Sequence, residues 1–258
     1  MADLLKLEGL PIWLINLPSS RKRRESMELQ LNSLALEYRP FAAVNGSENW
    51  VNLETSIDIS AFERNVGCRV LPGEIGCYHS HLGVWKQLVE SDAPAGLVLE
   101  DDVIFHENFK DAVNTALKAI DQWDILKLNF VRAQVPIVKA DLAGWRLMAY
   151  LGPFTGTGAY LITRGAAEKL LDRFLPITRP IDHEIDRSHV HGIKHLGMVP
   201  FPSHVKDDED STITGKHYAS VAKFPPYARL GTYRLRYLNL FGKSVHTLWR
   251  YPQKRMDL

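Results

Sequence analysis

The amino-acid sequence predicts an α/β protein in which a mixed, mostly parallel central sheet is flanked by helices. Three observations carry that expectation. Short apolar runs of strand length alternate along the chain with stretches whose apolar residues recur at helical spacing. The 258 residues are 45% hydrophobic, enough to bury a sizeable core in one large or two small domains. No internal repeat or low-complexity linker interrupts the pattern, so the economical division is one α/β unit over residues 1–222 and an extension over 223–258.

The elements follow in order. Pro11 to Leu17 is an apolar run ended by Pro18-Ser19-Ser20, read as a buried strand and a helix cap. Residues 21–34 place Met27, Leu31 and Leu34 at helical spacing, with Arg21, Lys22, Arg23 and Arg24 crowded into a first turn where cations oppose the helix dipole. That basic cluster reads either as a solvated face or as a surface for an anion. Arg39 to Val44 is a second strand, Asn45-Gly46 a turn, and residues 47–70 a long loop with one short helix. From Glu74 onward, Cys77, His81, Val84, Trp85 and Leu88 share one helical face, which points His81 inward. Further strands are expected over 97–103, 124–130 and 157–163, and further helices over 109–120 and 165–174.

Lys and Arg number 31 against 30 Asp and Glu, a net charge of +1 that offers no argument for nucleic acid. The N-terminus carries Asp3 and Glu8 and does not resemble a secretory signal, and no apolar run approaches the roughly 18 residues of a spanning helix. Two cysteines, Cys68 and Cys77, are too few for a disulfide framework. These features fit a reducing cytoplasm.

The strongest chemical signal is Leu97-Val98-Leu99-Glu100-Asp101-Asp102-Val103, where three adjacent acids close an apolar strand. Such acids repel one another and resist desolvation, so a cation is expected beside them. In an extended chain Glu100 and Asp102 share a face while Asp101 points to the other. Hard oxygen ligands suit Mg²⁺ or Mn²⁺, which bind through one or two carboxylates plus a substrate's phosphates, as in a nucleoside diphosphate. A solvated acidic turn is the alternative.

Five blocks in order resemble glycosyltransferase family 25. They are Ile12 to Leu17 with Arg21 and Arg24; Gly73 to Cys77 with Ser80, His81 and Trp85; Val98 to Val103; Gly156 to Arg164 with Ala166 and Ala167; and Pro180-Ile181-Asp182 followed by Val199 to Ser203. The resemblance implies a GT-A type nucleotide-sugar-binding fold, a UDP-sugar donor carrying galactose or glucose, a divalent cation, and transfer with inversion at the anomeric carbon. It makes Asp102 the metal ligand, with Glu100 or Asp101 orienting the ribose or a metal-bound water. It makes Ile15, Asn16, Leu17 and Arg21 candidates for nucleoside and phosphate contact, joined by Val44 and Asn45; relatives often carry Asp where Asn45 stands.

An inverting transfer needs a base for the acceptor hydroxyl proton. Asp182 matches the family's acidic position, and Glu184 lies two residues on; Asp182 is equally a helix cap. Ser80 and His81 fall in a matching block, which implies a donor- or acceptor-site role for them, donor binding first; a hydrogen-bonded core residue is the alternative for His81. His204 lies where GT-A enzymes supply a late metal ligand. The acids Asp207 to Asp210 read as a solvated loop, and Ser211 and Ile213 fit the family's downstream pattern. Gly152 to Gly158 is glycine-rich but lacks the Walker spacing. Thr157 and Tyr160 either line the acceptor cleft or belong to a strand core.

From Lys223 onward there are eight Lys or Arg and one Asp, interleaved with Phe, Tyr and Trp. This suits peripheral contact with an anionic membrane surface, or a helix packed on the catalytic unit with a solvated basic face. A lipid-linked acceptor fits the first case, with the protein on the inner face of a bacterial cytoplasmic membrane. Three functions therefore stand: a lipooligosaccharide or LPS glycosyltransferase, a metal-dependent phosphohydrolase using the same carboxylates, and a carbohydrate-binding protein without catalysis.

Overall fold

The computed structural model describes residues 6–206 and 222–250. Strand β1 (Ile12–Asn16) leads through α1 (Arg21–Ser33) to β2 (Arg39–Ala42), and α2 (Trp50–Leu53), α3 (Ile59–Val66) and α4 (Pro72–Glu90) follow. After β3 (Ala95–Glu100) come β4 (Val103–Phe105), α5 (Phe109–Lys118), β5 (Ile125–Lys127), β6 (Arg132–Ala133), β7 (Pro136–Leu142), β8 (Trp145–Tyr150), β9 (Phe154–Thr155) and β10 (Ala159–Thr163). The rest is α6 (Arg164–Leu171), α7 (Ile181–Ile185), α8 (Ser188–His191), β11 (His195–Val199), β12 (Ser203–Val205) and α9 (Leu230–Val245).

Eight strands form the central sheet in the order β2-β1-β3-β10-β5-β11-β8-β7. The pairings turn only β10 and β8 against the common direction, so the sheet is mixed and mostly parallel, as the sequence predicts. Both faces are covered because side chains alternate between two cores. Leu14, Leu97, Leu99 and Leu161 pack with Met27, Leu31 and Phe109 of α1 and α5. Trp13, Val98, Tyr160 and Ile162 pack with Ile75, Tyr78 and Trp85 of α4 and with Ala166, Ala167 and Leu170 of α6.

The register places Ile15 opposite Glu100. The ends of β1 and β3 therefore lie level, and their following residues meet at the carboxyl edge, where α/β sheets bind ligands. Helix α4 starts with Pro72 in its first turn, where a missing N–H costs nothing. Helix α3 begins at Asp58, whose side chain accepts from Ala61 N at 2.8 Å.

Several elements differ from expectation. Residues 47–70 hold two α-helices and a 3₁₀ turn rather than one short helix. The strand expected over 124–130 stops at Lys127. The β7–β8 hairpin carries no clean alternation, because a bulge interrupts its register between Val138 and Ala140. Strand β11 is short and contains Gly197, whose missing side chain makes room for the rings of Phe154 and Phe201.

Candidate functional site at the carboxyl edge of the sheet

The three acids diverge at the end of β3. Asp101 turns toward α1: its Oδ2 accepts from Asn16 Nδ2 at 2.6 Å, and its Oδ1 accepts from Arg23 Nη1 at 3.3 Å. Burial raises the Asp101 carboxyl above its ordinary value, against the lowering pull of Asn16 and Arg23. Glu100 points to the α4 side, where its Oε1 receives Thr157 Oγ1 at 2.5 Å and His81 Nε2 at 3.0 Å. Burial raises the Glu100 carboxyl, but these two partners outweigh it and leave it below the ordinary range. Asp102 is different. Its Oδ1 is buried and accepts no hydrogen bond, and Arg23 lies 3.8 Å from Oδ2. Burial first, then the charges of Glu100 and Asp101, push its carboxyl up to about 7.

Behind Glu100 runs a line of buried polar groups. Trp85 Nε1 donates to Tyr160 Oη at 2.8 Å, and that oxygen lies 2.9 Å from His81 Nδ1. Because Tyr160 already accepts from Trp85, its own proton is best spent on His81 Nδ1. This leaves the His81 proton on Nε2, facing Glu100. Tyr160 is fully buried, so it holds His81 from behind and does not line a cleft.

A cleft of about 420 Å³ opens over the ends of β1 and β2, lined by Leu17, Val44 and Asn45 with Ser19, Asn49 and Asn52. Close backbone approach fixes its far wall. A side chain on Gly76 would strike Val44 O, and one on Gly46 would strike Pro72 O, so the loop after β2 lies directly on the first turn of α4. Ser80 Oγ secures the loop by accepting from Val44 N at 2.8 Å and donating to Gly76 O at 2.7 Å. Asn45 Oδ1 accepts from Ser47 N at 3.1 Å. Ile15 belongs to the core, whereas Arg21 is exposed and pairs with Glu25 beside an outer depression of about 600 Å³.

On the other side stands Asp182, in the first turn of α7, where Pro180 and not Asp182 is the cap. Its Oδ2 accepts from Gly156 N at 3.0 Å and its Oδ1 from His183 N at 2.8 Å. Gly156 adopts φ +98°, and a side chain there would meet Val131 N, so the glycine permits this contact. Burial raises the Asp182 carboxyl, but the charges of His183 and Lys127 and the two backbone bonds hold it below the ordinary range. Lys127 is fully buried at the end of β5, donates to Phe154 O at 3.0 Å, and is pushed down to about 8 by burial, against the pull of Asp182 and Asp186. Glu184 faces away from the edge into a buried cluster: Arg179 at 2.7 Å, Arg187 at 2.8 Å and His191 at 2.8 Å.

The donor set fits a divalent cation on one observation, the buried, unpartnered Asp102 Oδ1. Asp102 and Glu100 would hold it as hard oxygen ligands. Cys77, His81 and Glu100 also bring ligand atoms within 4.8 Å of one another. There, however, both His81 nitrogens are engaged. The Cys77 thiol is kept protonated by burial and then by Glu100, Asp182 and Asp102. His204 lies on the β4–β12 ribbon, exposed, with its Nδ1 2.9 Å from His106 Nε2 and not with the acids. Asp207 to Asp210, Ser211 and Ile213 lie outside the described residues.

Sequence reasoning missed Arg23, Lys127 and Asn129. Arg23 had a signal, since it precedes Met27 and Leu31 by four and eight residues and so shares their inward face. Asn129 Oδ1 accepts from Ala159 N at 3.2 Å while its buried Nδ2 has no partner. Nothing local in the sequence marks it.

An acid cluster closing a central strand, beside a cleft over the neighbouring strand ends of a mostly parallel sheet, is a GT-A-like architecture. The chain belongs to glycosyltransferase family 25, whose model, described as LPS biosynthesis protein, matches residues 10–185. Procollagen galactosyltransferase 1-B of Xenopus laevis is 27% identical over 223 residues, covering 77% of this chain and 36% of the relative. Procollagen galactosyltransferase 2 of Homo sapiens is 26% identical over 245 residues, covering 78% and 37%. Inactive glycosyltransferase 25 family member 3 of Homo sapiens is 29% identical over 195 residues, covering 64% and 31%. The chain thus spans about a third of the length of these curated relatives.

Proposed function

We propose that this chain transfers a hexose, galactose first, from a UDP-sugar to an oligosaccharide acceptor, with inversion at the anomeric carbon and with Mn²⁺ or Mg²⁺ bound at Asp102 and Glu100. The observation that carries the reading is the unpartnered, buried Asp102 Oδ1 at the strand end beside the cleft. The galactosyltransferase relatives support galactose, and the family description, LPS biosynthesis protein, supports an LPS-type glycolipid acceptor.

Each residue then has a task. Leu17, Val44 and Asn45 seat the nucleoside, and Ser80 fixes the loop that carries two of them. A bound divalent cation would neutralise the departing diphosphate. Arg23 and Asn16 hold Asp101 aside, while His81 and Thr157 fix Glu100 in its ionised form. Asp182 is ionised and takes the proton of the acceptor hydroxyl as that oxygen attacks. Glu184 acts indirectly, by anchoring α7 through Arg179 and Arg187.

Turnover of UDP-galactose with Mn²⁺, in the presence and absence of an oligosaccharide acceptor, tests the reading. Acceptor-dependent transfer that disappears in a folded Asp102→Ala variant supports it. Full transfer by that variant refutes the metal assignment, and phosphate release without any sugar transfer would point to a phosphohydrolase. Two matching relatives are named inactive or probably inactive, which favours a sugar-binding protein as the second reading. Donor binding without turnover of any UDP-sugar would establish that one.

A further inference from the structure

Helix α9 is built inside out. The residues it buries are Thr232 and Lys243, followed by Thr247 in the π-helical turn His246–Arg250. Each buried residue is anchored through polar atoms. Thr232 Oγ1 donates to Arg64 O at 2.9 Å, and Lys243 Nζ donates at 2.6 Å to both Gly152 O and Asp186 Oδ1. Thr247 O receives Lys139 Nζ at 2.6 Å.

The opposite face is in water and largely apolar, with Arg234 set among its apolar side chains. Leu230, Tyr237, Leu238, Phe241 and Val245 recur at the spacing of one helical stripe, and Leu248 and Trp249 extend it. Tyr237 is 74% exposed, Phe241 70% and Trp249 86%. An amphipathic helix of a globular protein turns such a stripe inward, and a contiguous exposed one marks an interaction surface. The segment's own charge has one sign: residues 222–250 contain six Lys or Arg and no Asp or Glu, of which Lys243 is paired with Asp186 and Arg234 and Arg236 are exposed. Among the described residues no helix is long and apolar enough to cross a membrane.

We propose that the outward face of α9 docks this protein on an anionic lipid surface, with the helix lying in the plane of the interface. Tyr237, Phe241 and Trp249 enter the headgroup region, where amphipathic rings are favoured, and Arg234, four residues after Leu230 and four before Leu238, meets lipid phosphates from within the stripe. The single sign of the charge selects this occupant over a second copy of the chain, whose own α9 would present the same cations. Lys243 makes the dock rigid, because it ties the helix to the Gly152 carbonyl and to Asp186, four residues beyond Asp182. This inference rests on α9 alone and stands or falls separately from the transferase reading.

The full chain is to be sedimented with phosphatidylcholine vesicles and with vesicles mixing phosphatidylcholine and phosphatidylglycerol. Binding to the mixed vesicles is expected to be at least about tenfold tighter and to weaken with added salt. A Tyr237→Ser, Phe241→Ser, Trp249→Ser variant should keep the wild-type melting temperature and lose at least about tenfold of that binding. Arg234→Glu should abolish the preference for anionic lipid, and carries the test if the triple variant melts early. Equal binding to both vesicle types, or anionic binding untouched by these substitutions, overturns the proposal. So does a chain that ignores vesicles and instead forms a dimer that the triple variant dissociates in light scattering.

Discussion

The two sides of the carboxyl edge treat their acids in opposite ways. On the β10 and β5 side, Asp182, Glu184 and Asp186 are each matched by the fold: two backbone N–H groups and Lys127 for the first, Arg179, Arg187 and His191 for the second, Lys243 for the third. On the β1 and β3 side, Asp101 is matched by Asn16 and Arg23, but Asp102 keeps a buried oxygen with no donor and a carboxyl raised to about 7. The first side sets a cation or backbone donors close to each acid, although Glu184 Oε2 also lacks a hydrogen bond and burial raises the Asp186 carboxyl; on the second, the cation nearest Asp102 is Arg23, 3.8 Å away. Asp102 is the acid most strongly raised of these, which is why the proposed function puts its cation there.

The contrast can be broken first at Asp182. Asp182→Asn keeps the side chain's shape but cannot take a proton, so kcat should fall by about 10² to 10⁴ while the donor's KM stays near its wild-type value. Equal losses in kcat and in donor affinity would move Asp182 to the donor side.

Next comes Glu184, whose loss leaves Arg179 and Arg187 buried without their partner. Glu184→Leu should cost about 3 kcal/mol of stability, read as a drop in melting temperature. Its pH dependence has a definite sign. Burial raises the Glu184 carboxyl, but His191, Arg179 and Arg187 hold it below its ordinary range. The stabilisation is therefore complete above the unfolded value and is lost as pH falls through the lower folded one. Wild-type stability should decline through that acid range, and the variant's should not decline from this source.

The smallest effect is expected from Lys127→Met, which removes a buried cation acting on Asp182 at a distance. The acid limb of the pH–rate profile should move upward by about one unit or less, with little change at its plateau. An unmoved limb would mean that the backbone bonds from Gly156 and His183 alone keep Asp182 ionised.

Much of the β1 and β3 side was legible in the sequence, because its strands are buried on both faces and read as unbroken apolar runs. The acids at the end of β3 stand out for the same reason. The family motif points to Arg21, whereas helical periodicity points to Arg23. The other side was harder to read. Strands β7 and β8 form an irregular hairpin at the sheet edge, and β11 depends on rings that arrive from β9 and from Phe201. Tyr160 owes its role to partners distant in sequence, so type and spacing could not assign it, whereas the Glu184 partners Arg179, Arg187 and His191 all lie within seven residues of it. The basic and aromatic composition of the C-terminal region was visible. That Lys243 turns inward was not, because Asp186 and Gly152 lie far back in the chain.

The central claim is that Asp102 awaits a cation. It is tested most directly by Mn²⁺ titration calorimetry at about pH 6 and about pH 8, on either side of the Asp102 value of about 7, for the wild type and for Asp102→Asn. The wild type should bind Mn²⁺ on the order of tenfold more tightly at the higher pH, where Asp102 has lost its proton, and Asp102→Asn should bind weakly at both with that pH step gone. An Asp102→Asn variant that binds Mn²⁺ as the wild type does, with the same pH step, would contradict the account.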